Sequence, residues 1–247
     1  MDAAGCVTTI ANDVDTIRAE RDPRRSSDIS HAKRGADCMS ELFTLTATDL
    51  AALLCSRVCH DVISPVGAIN NGLELLDEGG ADEDAMHLIR TSARNASARL
   101  QFARIAFGAA GSAGMQIDTG DAESVAQAFL KNEKPELEWT GERELLPKNA
   151  VKLILNLLLV ANGGIPRGGK ITVNLENLKV KPKFTLTAKG PMVRVPAKFL
   201  EMHSGRKPEE AIDAHSVQAY YTLLLAREAG MEINIRASAE DIVLTAE

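Results

Sequence analysis

The stretch C-S-R-V-C-H-D-V-I-S-P, Cys55 to Pro65, decides how the rest of the chain is read. It admits three chemistries: a c-type haem attachment, a zinc site, or a helix presenting a reactive histidine. Haem attachment needs C-x-x-C-H, and Cys55 to Cys59 is one residue too long. Zinc needs four converging ligands, of which Cys55 and Cys59 at i and i+4 would supply two. His60 lies about 100° around a helix from Cys59, and no C-x-x-C or H-x-x-x-H partner occurs elsewhere. Both cysteines fall on an apolar seam, where free Cys is expected to pack as a small buried hydrophobe.

That seam extends in both directions. From Thr46 to Asp77, with Thr46 or Thr48 as N-cap, the residues Ala52, Cys55, Cys59, Val62, Val66, Ile69, Leu73 and Leu76 recur at alternating spacings of three and four. D-E-G-G-A-D-E-D then supplies a turn and an acidic start for a second helix. There Met86, Ile89, Ala93, Ala96, Leu100, Ala103 and Phe107 repeat the alternation. Two seams joined by a short loop predict an antiparallel hairpin over residues 46–110. A hairpin alone leaves one side of each stripe in water, so a homodimer closing a four-helix bundle is expected.

His60 sits beside the seam on a stripe reading Ser56, His60, Ile63, Gly67, Asn70, next to Arg57, Asp61, Ser64, Ala68, Asn71. Small and polar residues on an otherwise leucine-rich helix let another protein approach the imidazole closely. Asp61 brings a carboxylate able to fix the ring tautomer and free the other nitrogen as a nucleophile. Pro65 lacks the N–H that would bond the Asp61 carbonyl, which predicts a kink or loosening just after the histidine. The plain alternative is a solvated surface histidine.

Composition narrows the setting. The 247 residues carry a net charge of −6, which gives no general footprint for nucleic acid or an anionic membrane. Hydrophobic residues are 45% and aromatics only 4%, so Leu, Ile, Val and Ala must build the core. No uninterrupted apolar run reaches membrane-spanning length, the longest candidate being Val151 to Ala161 with Lys152 and Asn156 inside it. The cysteine count suits a reducing cytoplasm rather than a disulfide scaffold. Residues 1–45 read as a disordered extension, within which Met39 is a possible translation start.

G-A-A-G-S-A-G, Gly108 to Gly114, reads as a joint between domains. Beyond it, over 115–247, an α+β two-layer arrangement is expected. Its elements are a short strand near Met115 to Ile117, a helix near Asp121 to Lys131, E-L-E-W as a strand, and a helix from Pro147 to Asn162. Strands K-I-T-V-N-L-E and K-F-T-L-T-A follow, then a helix from about Asp213 to Glu228 closed by Gly230, then E-I-N-I-R and D-I-V-L-T-A.

H-[D/E]-x-x-x-P is the phosphoacceptor signature of histidine kinase dimerisation domains, and His60-Asp61-Val62-Ile63-Ser64-Pro65 matches it. N-L-L-L-V-A-N-G-G-I-P-R-G-G-K-I-T-V, Asn156 to Val173, resembles the kinase N-box and its continuation, with Val160 where the metal-binding Asn belongs. T-A-K-G-P resembles the D-x-G-x-G box with Ala188 in place of the adenine-reading Asp, and His215 to Val217 replace the phosphate-cradling glycines. The carboxylate, amide and glycine N–H groups that ATP binding needs are thus replaced. The Gly163-Gly164 and Gly168-Gly169 pairs read as turn glycines.

A phosphoacceptor hairpin followed by a degenerate, ATPase-like α/β sandwich resembles the ChpT-type histidine phosphotransferases of alphaproteobacterial relays. The resemblance runs from about Leu50 to the C-terminus and is strongest in L-C-S-R-V-C-H-D-V-I-S-P-V-G-A-I-N-N-G-L-E-L-L and L-Q-F-A-R-I-A-F-G-A. It implies that His60 takes a phosphoryl group from a receiver domain of a CckA-like hybrid kinase and passes it to CtrA-like and CpdR-like receivers in cell-cycle control. It also implies that no cofactor or metal is bound by this chain, the Mg²⁺ coming from the partner receiver. On this view His60 and Asp61 do the chemistry, while Ser56, Arg57, Ile63, Ser64, Gly67, Asn70 and Asn71 form the docking face. The alternatives are an active histidine kinase and a non-catalytic receiver-binding adaptor.

Overall fold

Thr46 starts the first helix. Its hydroxyl accepts from the Asp49 amide at 3.1 Å, the N-cap that the T-A-T-D run provides. In the computed structural model, which describes residues 45–79, 82–108, 116–206 and 210–247, helix α1 spans Ala47–Asp77 and α2 spans Asp82–Ala106. The expected disordered extension, the Met39 start and the joint beyond Gly108 lie outside the described residues. The helical run passes through Pro65 without a break, and the proline ring is buried. The two helices pack tightly at Gly72, where an added Cβ would stand 2.6 Å from Ile89 Cγ1.

The stripe of α1 turned to its neighbour is offset from the expected seam. Pro65 and Gly72 are the buried residues of α1, whereas Cys55 and Cys59 are exposed, with Val66 and Leu73 at 43% and 48% exposure. The expectation of buried seam cysteines therefore fails within the single chain. Two helices bury only the line between them, and this half of the stripe lies on the open side. One further expectation shifts. By length and apolar composition alone α1, not Val151 to Ala161, is long and apolar enough to cross a membrane, although it carries Arg57 and Asp61 paired at mid-length.

After the hairpin come β1 (Gln116–Asp118), α3 (Thr119–Leu130), β2 (Pro135–Thr140), β3 (Leu145–Pro147) and α4 (Lys148–Gly164). Then follow β4 (Gly169–Glu176), β5 (Lys183–Lys189), α5 (Ala197–His203), α6 (Val217–Ala229), β6 (Ile233–Ala237) and β7 (Asp241–Ala246). The main sheet has the order β2-β4-β5-β7-β6, parallel between β2 and β4 and antiparallel elsewhere, and β1 pairs with β3 in a small separate ribbon.

Strict alternation in three strands builds the one buried face of the sheet. Ile171, Ala188 and Ile242 stand in one row across it, Val173, Leu186 and Leu244 in the next, and Leu175, Phe184 and Ala246 in the third, all nearly or fully buried. The intervening threonines, Asn174 and Val243 face the other side and remain partly open. Helix α4 is buried nearly all round, and the core continues without interruption from the sheet through Leu153 and Leu157 to Phe102, Ile105 and Ala106 at the end of α2. Leu50 and Leu54 of α1 pack on the same core. The hairpin is thereby clamped along its lower half by the α/β layer.

Candidate functional site

His60 projects from the middle of α1 and is exposed. Helical spacing sets Ile63, Gly67 and Asn70 on the same side, and Ile63 is 69% exposed, a large apolar side chain left open among the described residues. A Cβ added at Gly67 would meet nothing within 4 Å, so this turn of helix is bare backbone open to an approaching surface. Ser64, Asn70 and Asn71 are exposed and Ser56 is half-buried. The structure thus keeps the stripe that the sequence marks as a docking face on the outside of the hairpin.

Asp61 is half-buried, and its Oδ2 accepts from Arg57 Nε at 3.1 Å. No hydrogen bond joins it to His60 among the described residues. An i, i+4 pair at this exposure stabilises by about 0.3–0.5 kcal/mol, so the carboxylate is held in place cheaply and released cheaply. Arg57 and Asp61 are thus joined to each other, one turn apart on α1, rather than standing independently beside the ring.

Sequence reasoning passed over one neighbour. The ring of His215 lies against that of His60, with centroids 5.8 Å apart and planes inclined by 28°. His215 comes from the turn that starts α6, and that turn is built by Asp213. Its Oδ1 accepts from the His215 amide at 3.1 Å, the Ser216 amide at 2.8 Å and the Ser216 hydroxyl at 2.6 Å. These donors, the Ser216 hydroxyl foremost, hold the Asp213 carboxyl below the usual carboxylate range. A second tie lies at the start of α1, where the Leu45 amide donates to the Tyr220 hydroxyl at 3.3 Å. The D-A-H-S run carries a cap signature, but its aim at His60 is a tertiary fact without a local signal.

Three of the positions that stand at the box-like stretches lie in the core. Val160 is 2% exposed, and Ala188 is fully buried between Ile171 and Ile242 in the sheet. Val217 is fully buried at the head of α6. Gly168 and Gly169 adopt φ of 89° and 136° in the turn into β4, and a Cβ on Gly169 would collide with the Lys189 carbonyl. They serve the turn, as read from the sequence. No group of three or more His, Cys, Asp or Glu that could hold a metal occurs among the described residues.

The chain is similar to several known proteins. Residues 119–241 match the family described as histidine phosphotransferase C-terminal domain. A protein phosphotransferase ChpT from Brucella abortus (strain 2308) is 72% identical over 209 residues, covering 85% of this chain and all of the relative. A solved structure of a bacterial phosphotransferase is 70% identical with a TM-score of 0.80, covering 83% of this chain and 99% of that one. The histidine kinase domain of a blue-light activated kinase from Erythrobacter litoralis aligns at 11% identity with a TM-score of 0.43, over 77% of this chain and 94% of that one.

Proposed function

Because the chain belongs to the ChpT-type histidine phosphotransferase family, we propose that His60 is the residue that carries its phosphoryl group between receiver-domain aspartates. The protein is a phosphotransferase. The observation that supports His60 as carrier is an exposed imidazole on the hairpin, followed by Asp61 and Pro65 and bordered by the open backbone at Gly67.

In the loading step a neutral ring nitrogen of His60 attacks the phosphorus of an aspartyl phosphate, the P–O bond to the carboxylate breaks, and the aspartate leaves as an anion. The product is a phosphoimidazole that is cationic until its other nitrogen gives up a proton. The unloading step is the reverse, onto a second receiver. Such transfers depend on alignment and charge neutralisation more than on side-chain chemistry. The receiver's own Mg²⁺ would supply the neutralisation. Asp61, released from Arg57, accepts from the ring nitrogen that does not react and stabilises the cation. Arg57, freed by the same exchange, faces the anionic centre of the receiver. Ser56, Ile63, Ser64, Gly67, Asn70 and Asn71 form the surface on which the receiver sits.

The chain works as a homodimer on this reading. Leu73 of α1 and Leu100 of α2, 48% and 49% exposed, project from the open side of the hairpin. Around Leu100 a hollow of about 510 Å³ is lined by Ala51, Leu54, Cys55, Val58 and Phe107. A second copy presenting the same face would cover both, completing four helices and burying Cys55 and Cys59. The donor is the receiver of a CckA-like hybrid kinase and the recipients are CtrA-like and CpdR-like receivers, all in the cytoplasm, with cell-cycle control as the output. Reconstitution of the relay with purified receivers tests the function: label must pass from one receiver to another only through wild-type protein, and not through His60→Ala.

A further inference from the structure

A histidine on the outside of a helix ordinarily samples several rotamers. His60 does not stand alone, because the His215 ring covers one of its faces, 5.8 Å away between centroids. That separation and the 28° inclination fall within the range in which aromatic rings attract one another in offset contact. The geometry has a specific chemical consequence. The lone pair of an imidazole nitrogen lies in the ring plane and points out from the edge, so a partner on the face fixes the ring without covering the atom that reacts.

We propose that His215 is a positioning residue for phosphoryl transfer, holding the His60 ring in the orientation in which its nucleophilic edge meets the receiver. The proposal rests on His60 being the phosphoryl carrier. His215 is itself well placed for the task. The carboxylate of Asp213 gathers the amides of His215 and Ser216 into one tight turn, and Val217, fully buried, anchors that turn in the core. The α/β layer thus contributes to the reaction through a contact with the acceptor ring, in the place where a kinase would have glycines around a nucleotide phosphate. Ordering the ring before the receiver arrives removes a cost otherwise met in the transition state. The freedom removed is a choice among about three χ1 wells and about two ring orientations, about six in all. The expected effect on the transfer rate is therefore about three- to tenfold.

The test uses the full chain and a receiver domain charged by a small-molecule phosphodonor. His215→Ala should lower the single-turnover rate at saturating receiver by about three- to tenfold while leaving the half-saturating receiver concentration unchanged. His215→Phe, which keeps a flat ring and removes the nitrogens, should restore the wild-type rate. In NMR spectra of selectively labelled histidine, the ring protons of His60 should lose their ring-current displacement in His215→Ala and keep one in His215→Phe. An unchanged rate in His215→Ala, or a loss in His215→Phe as deep as in His215→Ala, would overturn the proposal. If the wild-type chain takes no label on His60, the carrier assignment fails and this proposal falls with it. If label is normal but the rate ignores His215, only the positioning role is lost.

Discussion

Asn156 donates its Nδ2 to the Ala106 carbonyl at 3.0 Å, tying α4 to the last turn of the hairpin. Asn156 is fully buried, donates also to Lys152 O at 2.9 Å, and stands where the N-box-like stretch begins. An amide at the head of a kinase-like motif here serves as a bolt between hairpin and α/β layer. Its Oδ1 has no partner among the described residues, so the tie is made by its amino group.

Asn156→Ala should therefore destabilise the fold by about 1–3 kcal/mol, because a buried helix-terminal carbonyl loses its donor. Urea denaturation followed by circular dichroism would read this as a lower midpoint. An unchanged midpoint would mean that water replaces the amide.

Two glycines of α1 should respond in opposite ways. At Gly72 an added Cβ meets Ile89 Cγ1 at 2.6 Å and the Ala85 carbonyl at 3.3 Å, whereas at Gly67 it meets nothing. Gly67→Ala should raise stability by about 0.5–1 kcal/mol through helix propensity. In Gly72→Ala the clash, costing about 1–3 kcal/mol, outweighs that gain. Ile89→Ala should partly rescue Gly72→Ala, which a double-mutant cycle on thermal midpoints would show.

The pH response at the α4–α6 contact follows from Tyr221. Burial, then the charge of Glu228, pushes its phenol up to about 12, while an unfolded tyrosine ionises near 10. Between these values the unfolded chain has lost a proton that the native chain keeps, so native stability falls as pH rises through that window. Lys152, whose Nζ lies 3.3 Å from the Tyr221 hydroxyl, has its pKa lowered, chiefly by burial. Its contribution therefore runs the other way, rising with pH below the ordinary lysine range. Tyr221→Phe should flatten the alkaline loss of stability measured by urea titration at stepped pH. A slope identical to wild type would contradict the assignment.

Asp61→Asn should slow transfer far more than it weakens receiver binding, because its carboxylate acts on the ring only as charge develops. Stopped-flow transfer rates set against receiver affinity by calorimetry separate the two. Equal losses in both would make Asp61 a docking residue.

Much of this arrangement is legible in the amino-acid sequence. The spacing of apolar residues from Thr46 to Phe107 specified the hairpin, and alternation in K-I-T-V-N-L-E and D-I-V-L-T-A specified strands, because both periods are local consequences of backbone geometry. Leu145–Pro147 and Ala197–His203 are too short for either period to show in the residues that form them. The cysteines lie off the contact between α1 and α2 for a different reason. A heptad stripe says that residues share a face, but not which half of that face the partner helix covers. The contact of His60 with His215 and the bond from Asn156 to Ala106 join residues remote in sequence, and no pattern in one chain encodes such pairings.

Phosphoryl transfer through His60 leaves its mark on one imidazole. The full chain, incubated with a phosphorylated receiver and digested at alkaline pH to preserve acid-labile adducts, should yield the modified peptide with the added mass on His60. His60→Ala should yield none. A phosphoryl group on any other residue, or undiminished label in His60→Ala, would contradict it.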